Sequence, residues 1–384
     1  MVKYYLDKLM MSNSKNPGLY IHVPFCRTKC PYCDFYSATS LPLVPDWLDG
    51  LRREVLIYKD RFAAFDSLYL GGGTPTLLAG RELTTLMDGL FRHLTFSPDT
   101  EITIEANPDD ITLEKLALLR DLGTNRISLG VQSFDDGELQ YLGRRHTARQ
   151  TEKALEWIRT SGFTNVGVDL MYGFTGQTEA VWVQTMKHTL DFEPEHLSCY
   201  QMTLEEGTPF GKMLAEGRIK PLEEEKERDF FLLTSRFLEE HGYLHYEISN
   251  FARSEAFFSR HNQKYWQRIP YLGLGPSAHS FQDGVRWWNH SSIRRYCRAL
   301  ADGKLPVDET ETLSTEQLRL ESLYLGFRTR DGVSIETLHN SSPRSDQILS
   351  RLQESGLVRV LQNRALPTRE GFAVADRLPL LFSE

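Results

Sequence analysis

The sequence predicts an α/β protein: a partial (β/α)6, TIM-like barrel followed by a smaller α+β, winged-helix-like carboxyl-terminal region. Three observations point there. Six short β-rich runs recur within roughly the first 200 residues, separated by segments with helical periodicity. Each run ends on its carboxyl side in polar or reactive residues, the edge at which parallel α/β folds gather ligands. Beyond Glu205 that rhythm stops and different patterns take over.

The runs are LYIHVPF from Leu19, SLYLGGG from Ser67, EITIEANP from Glu101, RISLGVQS from Arg126, NVGVDLMYG from Asn165 and HLSCYQMT from His196. Between them, Trp47 to Tyr58 and Leu113 to Gly123 repeat apolar residues at helical spacing, the second closing on glycine. Parallel strands need crossover helices of one hand, so such a repeat closes as an open doubly wound sheet or as a barrel. The strand ends carry Cys26, then Gly71 to Thr74, Glu105 to Pro108, Gln132 and Ser133, Asp169, and Gln201 with Thr203. Six polar ends aimed at one place favour the curved sheet.

Pro221 to Tyr243 reads as one long helix with a charged face, and an aromatic, glycine-punctuated stretch runs from Tyr246 to Phe281. The tail, from Glu316, reads as two helices and a strand pair, VRVLQNRALPT. The expected division is a tail at 1–17, a core at 18–210, a helical and aromatic extension completing it at 211–300, and the winged-helix-like unit at 301–384.

Composition narrows the function. Fifty-two acidic against 44 basic side chains give a net charge of −8, which opposes unspecific binding to nucleic acid or anionic lipid. The amino terminus, MVKYYLDKLMMSNSKNP, lacks a signal-peptide pattern, and no run reaches the ~20 apolar residues of a membrane span. A cytoplasmic protein without stable membrane insertion is expected. The 5 cysteines are odd in number. Three crowd together while Cys199 and Cys297 lie far off, which argues against a secreted disulfide framework.

The crowded three, Cys26, Cys30 and Cys33, form C-x3-C-x2-C directly after the first run. A structural zinc site is usually closed by four ligands, and no second paired knuckle follows. Three inert buried thiols suit poorly a loop spaced by Arg27, Lys29 and Pro31. A [4Fe-4S] cluster accepts three thiolates and leaves one iron open for a ligand from outside the protein.

On these residues the chain resembles the radical S-adenosylmethionine (SAM) superfamily, in which SAM chelates the open iron and is cleaved to a 5′-deoxyadenosyl radical. YIHVPFC, GGGTPT, EANP, RISLGVQSF, LGRRH, VDLMYG and YEISNFA together resemble its group of oxygen-independent coproporphyrinogen III oxidases and heme chaperones, over about residues 18–280. The resemblance implies that Tyr20, Tyr32, Gly72, Gly73, Thr74, Glu105, Gln132, Arg144 and Asp169 contact SAM. Their chemistry is compatible. Glycines let backbone approach a ligand, a carboxylate accepts from a ribose diol, and a guanidinium forks onto a carboxylate. Read singly, the glycines equally suit a tight turn and Glu105 an ordinary ion pair.

Two departures separate the branches of that group. The oxidases carry a further cysteine where this chain has Phe35, and they carry an amino-terminal arm where this chain has only a short segment. HNQKYW matches the HNxxYW pattern of the heme chaperones, so His261, Asn262, Tyr265 and Trp266 are expected to contact heme; the bland alternative is a core aromatic cluster with a satisfied histidine. His22, His146, His245 and His279 are further candidate ligands. The resemblance implies a heme chaperone that binds cluster, SAM and heme and hands heme to acceptor hemoproteins, such as respiratory-chain components. The alternative is the radical oxidative decarboxylase of coproporphyrinogen III.

Overall fold

The computed structural model describes residues 16–382. All six expected strands form: β1 Gly18–Val23, β2 Phe65–Gly72, β3 Phe96–Ala106, β4 Arg126–Gln132, β5 Val166–Tyr172 and β6 His196–Gln201. They lie side by side in chain order, all parallel. Period-two alternation sets their two faces. Leu19, Ile21, Leu68, Leu70, Ile127, Leu129, Val168 and Leu197 point to one face and are almost wholly buried. Tyr20, His22, Tyr69, Glu105, Ser128 and Asp169 hold the other, with Tyr20 beside Tyr69, His22 beside Gly71 and Glu105 beside Ser128.

Helices cover the apolar face. Between β1 and β2, α1 (Val44–Tyr58) buries Val44, Trp47, Leu51, Val55 and Tyr58 at helical spacing, and after β2, α2 (Gly80–His93) buries Leu83, Leu86, Met87 and Leu90. Next come α3 (Leu113–Asp121), α4 (Asp136–Tyr141), α5 (Ala148–Thr160) and α6 (Glu179–Leu190). Thr112, Thr147 and Thr178 cap α3, α5 and α6 through their hydroxyls at 3.1, 3.3 and 3.4 Å. After the short α7 (Pro209–Ala215), the charged helix α8 spans Glu224–Glu240, shorter at both ends than the pattern suggested. Glu223 is extended at its start, and Gly242, at φ 86°, turns the chain beyond its end.

The sheet continues beyond the sixth strand. β7 (Leu244–Glu247) and β8 (Asn250–Ala252) form an antiparallel edge on β6, and after α9 (Arg260–Trp266), β9 (Tyr271–Leu274) joins the far side parallel to β1. β10 (His279–Gln282), β11 (Val285–Asn289) and, after α10 (Ile293–Ala301), β12 (Val307–Thr312) extend that side antiparallel. The result is a twelve-stranded sheet, with β12 and β7 at its edges. The sheet therefore runs to Thr312, past the expected boundary at 300, because β12 pairs with β11 from Val307 to Thr312.

One buried carboxylate ties the extension to the core. Glu54 on α1 accepts from Gly275 N at 2.9 Å, from Asn289 Nδ2 at 2.6 Å and from the Tyr296 hydroxyl at 2.6 Å. Burial raises its pKa to about 7, against the opposing pull of those bonds. A raised carboxyl pKa means that the folded chain holds a proton the unfolded chain has lost, so this group's contribution falls as pH rises from about 4.5 to about 7. Glu54→Gln should therefore gain on the parent by roughly 1–3 kcal/mol between pH 4.5 and pH 8. Urea unfolding of both proteins at the two pH values checks this, and a constant difference would disprove it.

The tail is a separate small unit. It comprises α11 (Thr315–Phe327), β13 (Val333–Ser334), α12 (Ile335–His339), α13 (Ser345–Glu354), the hairpin of β14 (Val358–Leu361) and β15 (Arg364–Pro367), and α14 (Arg369–Phe372). Its sheet order is β13-β15-β14, over a core of Leu323, Phe327, Leu338, Leu352 and Phe382. It docks on the barrel edge through Arg330 N to Tyr246 O at 3.0 Å, Ile248 N to Arg328 O at 3.2 Å, and the Arg268 guanidinium to Leu318 O at 2.8 Å.

Candidate functional site

At the carboxyl ends of β1 and β2 two turns interlock. Gly73 N donates to Val23 O at 2.8 Å and Thr74 N to Phe25 O at 2.7 Å, which pins the glycine turn against the start of the cysteine loop. The approach tolerates no side chain. A Cβ at Gly73 would stand 2.5 Å from the Phe25 carbonyl oxygen, and Gly72, at φ 102°, adopts a conformation that favours glycine. Cys26, Cys30 and Cys33 follow, none in a disulfide and all partly exposed.

Polar groups from the end of β2 and from the turn after α4 reach this loop. Thr74 donates to Cys26 Sγ at 3.7 Å. Arg144 donates to Cys30 Sγ at 3.6 Å, to the Tyr32 hydroxyl at 3.4 Å and to Gly130 O at 2.8 Å, and it also bonds Asn107, whose amide donates to Thr74 at 3.0 Å. The resulting chain of bonds links β2, β3 and β4 to the cysteines. Burial pushes the Cys26 and Cys33 thiols up, and the neighbouring Cys30 adds to it, so thiolates here call for a cationic partner. Among the described residues no three ligating side chains are gathered tightly enough for one metal ion. A cluster asks something else of the loop, since each of its three thiolates holds a different iron.

One layer below, Glu105 accepts from the Tyr69 hydroxyl at 2.9 Å and from Gly72 N at 3.0 Å. Burial, and then the nearby Asp169 carboxylate, raise its pKa to about 7. Asp169 accepts from Ser128 at 3.1 Å, and its carboxyl is also pushed up, chiefly by burial. Gln132 is buried at φ 68°, a left-handed backbone that a non-glycine residue adopts only under local constraint. Of the nine residues expected to meet SAM, eight surround this mouth. Tyr20 lies further down the polar face, its hydroxyl 3.1 Å from His22 Nδ1 and its ring stacked on His261 with centroids 6.0 Å apart.

The HNQKYW helix, α9, is split between two environments. His261 is 1% exposed, with Nδ1 3.2 Å from the Ser67 hydroxyl and Nε2 2.8 Å from the Tyr265 hydroxyl. Both ring nitrogens are thus engaged inside the barrel, and burial with the neighbouring Lys264 charge lowers its pKa to about 3. Asn262 is half-buried. Trp266 faces away from the barrel, towards the carboxyl-terminal unit. This differs from the expected grouping of the four residues around one heme. Residues one turn apart share a helix face, which is why His261 and Tyr265 travel together and Trp266 does not. His261→Ala should destabilise the fold by about 2–4 kcal/mol, by leaving Ser67 and Tyr265 without their partner and opening a cavity. A urea midpoint unchanged from the parent would contradict that.

The other histidines are placed differently. His22 bonds Tyr36 O at 2.8 Å, His146 bonds Val131 O at 3.0 Å, and His245 bonds Ser235 at 2.9 Å. His279 is exposed and stacks on Trp288, centroids 5.5 Å apart. The sequence reading did not single out Asn107, Ser128 or Tyr69. Alternating polar residues, Glu101, Thr103, Glu105 and Asn107 along β3 and its end and Arg126 and Ser128 on β4, were the signal available for Asn107 and Ser128.

The radical SAM superfamily model matches residues 20–189. The heme chaperone HemW of Bacillus subtilis is 35% identical over 362 residues, 92% of this chain and 95% of that protein. This chain belongs to the HemW family of the radical SAM superfamily. A relative from Bos taurus, the mitochondrial radical S-adenosyl methionine domain-containing protein 1, is 31% identical over 96% of this chain and 87% of its own length. The fold is also that of the coproporphyrinogen III oxidase HemN of Escherichia coli, with a TM-score of 0.81 over 99% of this chain and 93% of that one, at 23% identity.

Superfamily membership implies a [4Fe-4S] cluster and SAM, and the mouth suits both in its donors: three free thiols, a glycine turn with open backbone, and carboxylate and guanidinium groups around it. Phe35, two residues beyond Cys33, is 67% exposed. Among the described residues no helix is long and apolar enough to cross a membrane.

Proposed function

We propose that this chain is a heme carrier: it binds a [4Fe-4S] cluster, SAM and heme, and delivers heme to acceptor hemoproteins in the cytoplasm or at the membrane surface. The near full-length likeness to proteins named heme chaperone carries this reading. Cys26, Cys30 and Cys33 are the cluster ligands. When bound, the cluster supplies an electron and SAM supplies the sulfonium that can accept it.

Around them the chain's own groups bind and orient. Gly72, Gly73 and Thr74 present backbone to the cofactor, Glu105 accepts from its hydroxyls, and Asp169, Gln132 and Tyr32 complete its walls, with Tyr20 lying below them on the same polar face. Arg144 steadies the cysteine loop by holding Cys30 and Gly130 at once.

The test is an anaerobic assay of the reconstituted protein with SAM, scored for hemin binding and for decarboxylation of coproporphyrinogen III. Stoichiometric hemin binding without carbon dioxide release is expected. Robust decarboxylation would transfer the chain to the oxidase reading.

A further inference from the structure

Helix α9 is a partition. Its His261 and Tyr265 side closes the lower part of the barrel, while its carboxyl end opens on a cavity of about 750 Å³ between the barrel and the carboxyl-terminal unit. The remaining walls are the end of α11, the segment 329–334 and the β14–β15 hairpin. A cavity of this size is in the range that holds a small organic ligand.

Its charge is one-sided. Arg268, Arg330, Arg359 and Arg364 line it, against the single carboxylate of Asp331. Two of the four are fixed by uncharged carbonyls, which orient a guanidinium without neutralising it: Arg268 on Leu318 O at 2.8 Å and Arg364 on Gly332 O at 2.8 Å. Arg330 has Glu255 3.4 Å away, yet its Nη1 is buried and makes no hydrogen bond. Arg359 is exposed, and its guanidinium has no ion-pair or hydrogen-bond partner among the described residues.

The same cavity has an apolar, aromatic side. Trp266, Leu325, Leu361 and Leu366 line it, and the Trp266 Nε1 is buried without a partner. An occupant with an apolar body and anionic groups would use both sides. A porphyrin with its propionates has that form: the ring stacks on the indole and the carboxylates accept forked bonds from guanidinium groups.

Resting on the heme-carrier reading above, we propose that this cavity is where the chain holds heme, with the macrocycle against Trp266 and the propionates on the arginines, chiefly Arg359 and Arg364. None of its lining residues is a histidine, cysteine, methionine or tyrosine, so the wall offers no axial ligand of the usual kinds. The hold is on the ring and its carboxylates, and the iron stays open to the acceptor's own ligand. Release then breaks no iron–protein bond on the carrier.

The test titrates the full-length protein with hemin, with metal-free protoporphyrin IX and with protoporphyrin IX dimethyl ester, following tryptophan quenching and porphyrin absorbance. Hemin and protoporphyrin IX should bind within about threefold of each other, and the ester at least tenfold more weakly. Arg359→Glu and, separately, Leu361→Glu should weaken both free-acid porphyrins tenfold or more while the thermal midpoint stays that of the parent. Both residues are exposed, so neither change strains the core. Hemin binding that ignores both substitutions, or a protein that takes hemin but refuses protoporphyrin IX, overturns this site and leaves the carrier reading standing. A parent protein that binds no hemin at all overturns both.

Discussion

Replacing Cys26, Cys30 and Cys33 together by alanine should abolish bound iron and sulfide and the visible charge-transfer absorption of the reconstituted protein. The three are the only thiols placed at the barrel mouth, and two of them already receive hydrogen bonds, from Thr74 and Arg144, of the sort that tune a cluster's sulfurs. The remaining two cysteines supply the contrast. Cys199 is 2% exposed within the apolar layer of β6, and burial drives its thiol far up. Cys297 lies on α10 with Sγ 3.5 Å from Asp46 O, its pKa pushed up to about 11 by burial. Cys199→Ala and Cys297→Ala should each retain the full iron content. Loss of the cluster in either single variant would refute the assignment. Iron and sulfide analysis beside the absorption spectrum separates cluster loss from misfolding, which circular dichroism monitors.

Gly73→Ala is the second large effect. The added methyl would meet two backbone oxygens, those of Phe25 at 2.5 Å and Val23 at 2.7 Å, and neither can swing aside as a side-chain tip would. The ends of β1 and β2 must separate, breaking the 2.8 Å bond of Gly73 to Val23 and the 2.7 Å bond of Thr74 to Phe25. The expected cost is about 2–4 kcal/mol of stability, from overpacking and two lost bonds. Because the same turn carries Thr74 against Cys26, cluster retention and SAM affinity should fall together. Gly89→Ala is the control: a Cβ there meets nothing within 4 Å, and as a helix-interior change it should be neutral or stabilising. Equal stability of the two variants would show that the turn relaxes freely.

Much of this was legible in the sequence because it is local. A strand with one buried face alternates, so the outward Leu, Ile and Val residues of β1 to β6 declared themselves, and threonines before α3, α5 and α6 marked where those helices begin. The cysteine spacing and the glycine run likewise depend on neighbours in the chain. The HNQKYW helix shows the limit. The six letters suggested one site, but helical phase sends His261 to Ser67, nearly two hundred residues away, and Trp266 to the tail. No local pattern records which partner waits on each face.

By itself, then, the sequence determined the order of strands and helices, the loop of three thiols and the polar strand ends, since each follows from steric and hydrophobic preferences of adjacent residues. Only the tertiary structure decided that Glu54 would tie α1 to β11, that Asn107 would join Thr74 to Arg144, that β12 would extend the large sheet, and that four arginines would meet Trp266 around one cavity. Those outcomes depend on contacts between distant segments, where burial leaves each polar group to be satisfied by whatever the packing brings within reach.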